Sequence, residues 1–273
     1  MTNLETGLAQ PAVAVFGYEV VFVHGAWAGP WAWAHWAPFF ASEGWTVRTL
    51  ALPGHSPGDS EFRFGLEDYV AYLEEAVREP EKTVLVGHSM GGWVCLKYME
   101  SRRVAASVLV APMPAGGVPA RAQRALARMA PWRSARTLLF GRPAEIGSEA
   151  DVRVMCFLPD TPEAVVKRYR DRCCPESARA CRQMSWLPLT GPRLRRGRLK
   201  RTQEGVPHLL LASEGDFFFK PAELEETARL LSAPVARVEG SAHCMMELDG
   251  SRALAARVET WLRGRLISSC DPS

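Results

Sequence analysis

No stretch of this chain is apolar for long enough to cross a bilayer. Met1 to Gln10 carries Glu5 and no basic run, and the apolar run Pro11 to Phe16 breaks at Gly17. The sequence therefore predicts neither a signal peptide nor a membrane span. The seven cysteines, at 95, 156, 173, 174, 181, 244 and 270, contain no CxxC pair and no Cys/His spacing suited to zinc. Their odd number argues for reduced thiols in a cytoplasmic protein. The net charge of +3 is too small to suggest nucleic acid. No repeat or low-complexity tract is visible. What remains is an ordinary globular composition, 47% hydrophobic and 23% charged over 273 residues. That suits one large α/β domain, or one carrying an insertion.

One stretch organises the rest. Thr83 to Val86 is apolar and β-favouring, and Trp93 to Met99 reads as a buried helix. Between them lies Gly87-His88-Ser89-Met90-Gly91-Gly92. A strand that turns at once into a helix needs a sharp bend, and the flanking glycines remove Cβ atoms that would collide there. The serine is held out at the tip. The backbone N–H groups of the helix N-terminus, Met90 first, are free to stabilise a negative oxygen.

The chain on either side divides into two kinds of pattern. Short β-like runs fall at Ala12–Phe16 and Glu19–Val23, expected as a hairpin, then at Trp45–Leu52, Val104–Ala111, Val206–Ala212 and Pro234–Glu239. Helices are expected over Trp31–Phe40, Gly65–Glu79, Pro221–Leu231 and Ser251–Leu266. From Ala115 to about Thr202 strand-like runs vanish, and helical segments follow one another: Ala120–Met129, Ser148–Phe157, Pro162–Cys173 and Glu176–Met184. The sequence thus predicts a core of residues 1–114 and 203–273 and a helical cap of residues 115–202. The basic run Arg193 to Arg201 reads as a solvated connector.

These motifs resemble the α/β-hydrolase family. The glycine-serine-glycine elbow between strand and helix is the first point of likeness. The second is an apolar strand ending in His24-Gly25-Ala26-Trp27, 65 positions before Ser89. The resemblance implies a mostly parallel, twisted sheet flanked by helices, with the cap over the site. It also implies that the loop after His24 supplies an oxyanion N–H, from Ala26 or else Trp27, while His24 itself pins the loop. In this family an acid follows the strand after the cap and a histidine follows the next strand. Asp216, just past Gly215, fits the acid better than Glu214. For the histidine, elimination agrees. His24, His35, His55 and His88 precede or abut the serine, His208 lies inside a strand, and His243 alone sits in a late turn.

The expected chemistry is acyl transfer without metal or organic cofactor. His243 takes the Ser89 proton, Asp216 fixes the imidazole, and the Ala26 and Met90 N–H groups bind the oxyanion. Trp27, Trp31, Met113 and Phe217, with Met90 and Met245, are expected around the serine. That list is apolar, so the predicted substrate is a small to medium ester, lactone or thioester. The partner is a small molecule, with neither nucleic acid nor membrane. Two alternatives stand: a C–C-cleaving, hydroxynitrile-lyase-like or haloperoxidase-like member, and a catalytically silent binding protein. Such lyases carry threonine after the first-strand histidine and lysine after the catalytic one. Here those positions hold Gly25 and Cys244.

Overall fold

The computed structural model describes residues 7–9, 16–56, 58, 59, 62–248 and 250–267. Its strands are β1 (Gly7–Ala9), β2 (Glu19–Val23), β3 (Thr46–Leu50), β4 (Thr83–His88), β5 (Ala106–Val110), β6 (His208–Ala212) and β7 (Val235–Arg237). They form one sheet in the order β1-β3-β2-β4-β5-β6-β7. All neighbours are parallel except β1 with β3. Parallel strands need cover on both faces, so their sequences run apolar without alternation. Thr83–His88, Ala106–Val110 and His208–Ala212 are accordingly buried at every position.

The hairpin expected around Gly17 does not form with Glu19–Val23. Both edges of β2 are taken, by β3 on one side and β4 on the other. Most of its other arm, Ala12 to Val15, lies outside the described residues.

The expected helix over Trp31–Phe40 is instead a 3-10 turn at Pro30–Trp33 followed by α1 (Trp36–Ser42). Trp33, Trp36, Trp45 and Trp93 are fully buried, and Phe22 packs between Trp33 and Phe40. α2 (Leu66–Ala76) and α3 (Met90–Met99) follow.

Between β5 and β6 the chain makes seven helices and no strand of the sheet: α4 (Ala120–Met129), α5 (Pro131–Leu138), α6 (Glu149–Cys156), α7 (Glu163–Arg172), α8 (Ala178–Ser185), α9 (Leu187–Thr190) and α10 (Arg196–Thr202). α5 was not expected. Its Pro131 starts a helix, at the first-turn position where a missing N–H costs nothing. The basic side chains of Arg193 to Arg201 are exposed, as a solvated connector requires, and much of the run is helical as α10, anchored by buried Leu199 and by Arg196 on Glu226. α11 (Pro221–Leu231) and α12 (Ser251–Leu266) complete the fold. No helix among the described residues is long and apolar enough to cross a membrane.

Candidate active site

The loops that leave β2, β4, β6 and β7 converge beyond the carboxyl ends of the strands, where open parallel sheets bind ligands. Ser89 sits between β4 and α3 at φ 52° and ψ −120°. That is a strained backbone for a residue with a Cβ, and it persists because both sides are stitched down. The Ser89 N–H donates to Val110, and the Met113 and Gly92 N–H groups donate to the Ser89 carbonyl. Gly91 has no room for a side chain: a Cβ there would meet the carbonyl oxygens of His24 and Val23.

His243 reaches Ser89 from the loop after β7. The Ser89 hydroxyl donates to His243 Nε2 at 3.0 Å, and His243 Nδ1–H donates to Asp216 Oδ2 at 2.9 Å. Asp216 is fully buried, and its other oxygen accepts the N–H groups of Phe218 and Phe219 at 2.7 and 3.0 Å. The imidazole is boxed by the rings of Phe218, Phe219 and His88. His88 Nε2–H donates to the His243 carbonyl at 3.1 Å. Burial, with His243 alongside, holds His88 well below the ordinary histidine pKa, so it stays neutral. Glu214, the other acid weighed from sequence, is exposed and pairs with Arg237 instead.

The loop after β2 is fixed as expected. The Leu52 N–H donates to His24 Nε2, and His24 Nδ1–H donates to the Gly25 carbonyl. Burial, and His55 next to it, lower the pKa of His24 to about 3, so this ring carries no charge. Trp27 has φ 61°. Its indole N–H donates to Ala144, and its carbonyl accepts from the Cys174 N–H. Ala144 lies next in the chain to Glu145, and Cys174 two before Glu176. A short antiparallel bridge joins Ala144 to Glu176. The inserted helices thus clasp the loop that carries Ala26.

Above Ser89 lies a cavity of about 360 Å³. Ala26, Trp27, His88, Met90 and Met113 line it from the core, together with Phe218 and Phe219. Val118, Leu126, Ile146, Met155 and Tyr169 are among the lining residues from the cap. Three expected residues do not line it: Trp31, Phe217 and Met245. Trp31 packs edge-on against Tyr169 with the Arg172 guanidinium over its ring. Phe217 is displaced by its neighbours because the bonds to Asp216 turn Phe218 and Phe219 inward. The cavity is not free of charge. Arg133 and Arg124 reach it, although Arg133 is paired with Asp151 at 2.6 Å.

Comparison with known proteins fits this geometry. Curated plant proteins match part of the chain. "Probable esterase PIR7A" of rice (Oryza sativa) is 38% identical over 109 residues, 37% of this chain and 41% of the rice protein. "Methylesterase 10" of Arabidopsis thaliana is 38% identical over 81 residues, 28% of this chain and 29% of its own length. The chain therefore spans well under two-thirds of either relative. Solved structures match almost throughout. MenH from S. aureus has a TM-score of 0.69 at 20% identity, covering 97% of this chain and 99% of that one. The esterase EaEST from Exiguobacterium antarcticum has a TM-score of 0.71 at 14% identity, covering 94% of each. The methylesterase MES16 from Arabidopsis reaches 0.64 at 18%, covering 90% and 99%. At such identities the likeness speaks for the fold alone. The sequence model of the alpha/beta hydrolase family matches residues 20–257. The chain belongs to the alpha/beta hydrolase family.

Proposed function

We propose that this protein is a serine hydrolase that cleaves small to medium, largely apolar carboxylic esters through an acyl-enzyme on Ser89. The observation that carries the reading is the unbroken chain Ser89–His243–Asp216 at the floor of an apolar cavity. His243 Nε2 accepts the Ser89 proton as Oγ attacks the ester carbonyl, then returns it to the departing alkoxide. Asp216 keeps the proton of the neutral ring on Nδ1 and stabilises the imidazolium that forms. Met90 opens α3 and Ala26 lines the cavity, and their N–H groups are the proposed oxyanion donors. Losing one such donor costs on the order of 3 kcal/mol in the transition state. Water then attacks the acyl-enzyme by the same proton path reversed. The esterase and methylesterase names of the plant relatives support ester chemistry.

Gly25 weighs against lyase-like chemistry. A Cβ at this position would lie 2.9 Å from both His88 Nδ1 and Ser89 Cβ, so a threonine does not fit without moving the elbow.

The test is active-site labelling with a fluorophosphonate, followed by peptide mapping, beside an ester panel. Labelling of Ser89, abolished in Ser89→Ala along with all but a thousandth or so of turnover, is the expected result. A fully active Ser89→Ala variant refutes the reading.

A further inference from the structure

The large apolar side chains exposed among the described residues all belong to the cap: Trp132, Leu139, Phe140, Val154, Trp186 and Leu189. Five of them gather at one corner. Trp132, Arg136, Leu139 and Phe140 follow helical spacing along α5, and the Phe140 N–H still donates to the Arg136 carbonyl, so one face carries all four. Gly141 comes next, and a Cβ there would sit 3.2 Å from a guanidinium nitrogen of Arg182 on α8. The Arg182 carbonyl accepts from the Trp186 N–H, and the Trp186 carbonyl accepts from Leu189. The two exposed clusters are thus carried on helices that pack together, α5 on α8 and α8 on α9. Trp132, Leu139, Phe140 and Leu189 are each at least 67% exposed.

The charge around this surface has one sign. Residues 120–142 hold six arginines and no Asp or Glu, and no acid occurs from 177 to 203. Arg121 and Arg133 are occupied by Glu223 and Asp151. Arg136, Arg142 and Arg182 flank the apolar side chains. A second copy of this chain is a poor occupant, because a two-fold interface sets a patch against itself and would face these arginines with arginines. Exposed Trp, Phe and Leu interleaved with arginine suit a surface that is anionic at its boundary and apolar just beneath.

We propose that this corner of the cap docks on an anionic lipid surface. Trp132, Leu139, Phe140, Trp186 and Leu189 enter the boundary between headgroups and acyl chains, and Arg136, Arg142 and Arg182 meet the phosphates. The expectation of no membrane partner rested on the missing spanning segment, and surface docking needs none. The other side of α5, through Arg133, Ser134, Thr137 and Leu138, lines the cavity above Ser89. One helix thus joins the lipid-facing surface to the cavity.

The experiment is flotation of the full chain with phosphatidylcholine vesicles, with and without ~30% phosphatidylglycerol, at low and high salt. Recovery with the anionic vesicles at low salt, falling as salt is added, is expected. Combining Trp132→Ala, Leu139→Ala and Phe140→Ala lowers recovery at least tenfold and leaves hydrolysis of a short soluble ester unchanged. The pair Arg136→Glu with Arg142→Glu does the same and carries the test if the triple variant fails to fold. No recovery with anionic vesicles, or equal recovery of wild type and variants, overturns the proposal. So does a dimer in light scattering that the triple variant dissolves.

Discussion

Glu176 and His55 form a buried ion pair, Oε2 to Nε2 at 3.1 Å, between the cap and the loop after β3. His55 donates from both ring nitrogens, to Glu176 and to the Pro53 carbonyl, so the ring is an imidazolium. Burial alone would lower its pKa, but Glu176 facing it holds it above the ordinary value. Burial likewise pushes Glu176 up, and His55, the Tyr69 hydroxyl and the Ser177 N–H outweigh that and hold it below. A raised histidine contributes stability that is complete below its unfolded pKa and lost as pH rises through the folded one. A depressed carboxylate contributes stability that is lost as pH falls through its lowered value. The pair is therefore strongest between the ordinary carboxylate and histidine ranges. Melting temperatures taken between about pH 5 and 9 should fall on the alkaline side in wild type. Glu176→Gln removes the counter-charge and with it that alkaline fall, because a His55 kept neutral by burial has no proton to lose above the ordinary histidine pKa. Glu176→Ala, which strands His55, costs roughly 3–5 kcal/mol. Parallel curves for wild type and Glu176→Gln would contradict the ionic junction.

Glu247, four residues past His243, poses the opposite case. It is buried in a 3-10 turn, and its Oε1 has no hydrogen-bond partner. Burial raises its pKa to about 7 from an ordinary 4.5, and Arg172 and Arg168 offset this only in part. The folded protein then binds a proton that the unfolded chain has released, so stability falls as pH climbs from 4.5 to about 7 and stays low above it. At ~1.4 kcal/mol for each tenfold change in proton affinity, the full penalty is on the order of 3 kcal/mol. Glu247→Gln should match wild type in urea unfolding at pH 5 and exceed it at pH 8. Equal stability at both values would show that the carboxylate finds a partner when ionised.

Asp216→Asn tests the proposed mechanism at one atom. The N–H groups of Phe218 and Phe219 both point at Oδ1, so the asparagine carbonyl keeps that place and the amide NH2 faces His243 Nδ1. Nδ1 must then accept, which puts the imidazole proton on Nε2, where Ser89 needs an acceptor. The expected loss in kcat reaches about 10⁴-fold with little change in melting temperature. A mild defect, paired with a severe one in Glu214→Gln, would move the acid to Glu214.

The parts of the site that sequence made legible are those encoded within a few residues. Ser89 lies between glycines at a strand–helix junction, and Asp216 and His243 follow strand ends. The cavity wall was not legible, because most of it comes from cap helices whose packing is tertiary. Trp31 was expected inward, but Tyr169 and Arg172 gave its ring another partner. Phe217 was expected at the pocket, and the two N–H bonds to Asp216 brought in the next two phenylalanines instead. Strand β1 has only three residues, and α10 buries only Leu199, so neither carries a periodic signal.

The cavity wall near Ser89 is aromatic, aliphatic and methionine-rich, from Trp27 and Met113 to Leu126, Ile146 and Phe218. Each acyl CH₂ buried there adds up to ~0.8 kcal/mol until the cavity is full. Rates on a nitrophenyl ester series should climb with chain length, peak and then fall. The competing picture is recognition of an acidic substrate by cap arginines. Arg170 donates to the Gly147 carbonyl and Arg172 lies over the Trp31 ring, and neither they nor Arg168 are among the residues that line the cavity. Arg133 is paired with Asp151, which leaves Arg124 as the cavity arginine to test. Arg124→Ala should change kcat/KM for a neutral ester less than about twofold, the usual range for a side chain that makes no special contact. Free-acid esters that turn over faster than their neutral analogues, with the advantage lost in Arg124→Ala and at high salt, would replace the apolar reading with an anionic one.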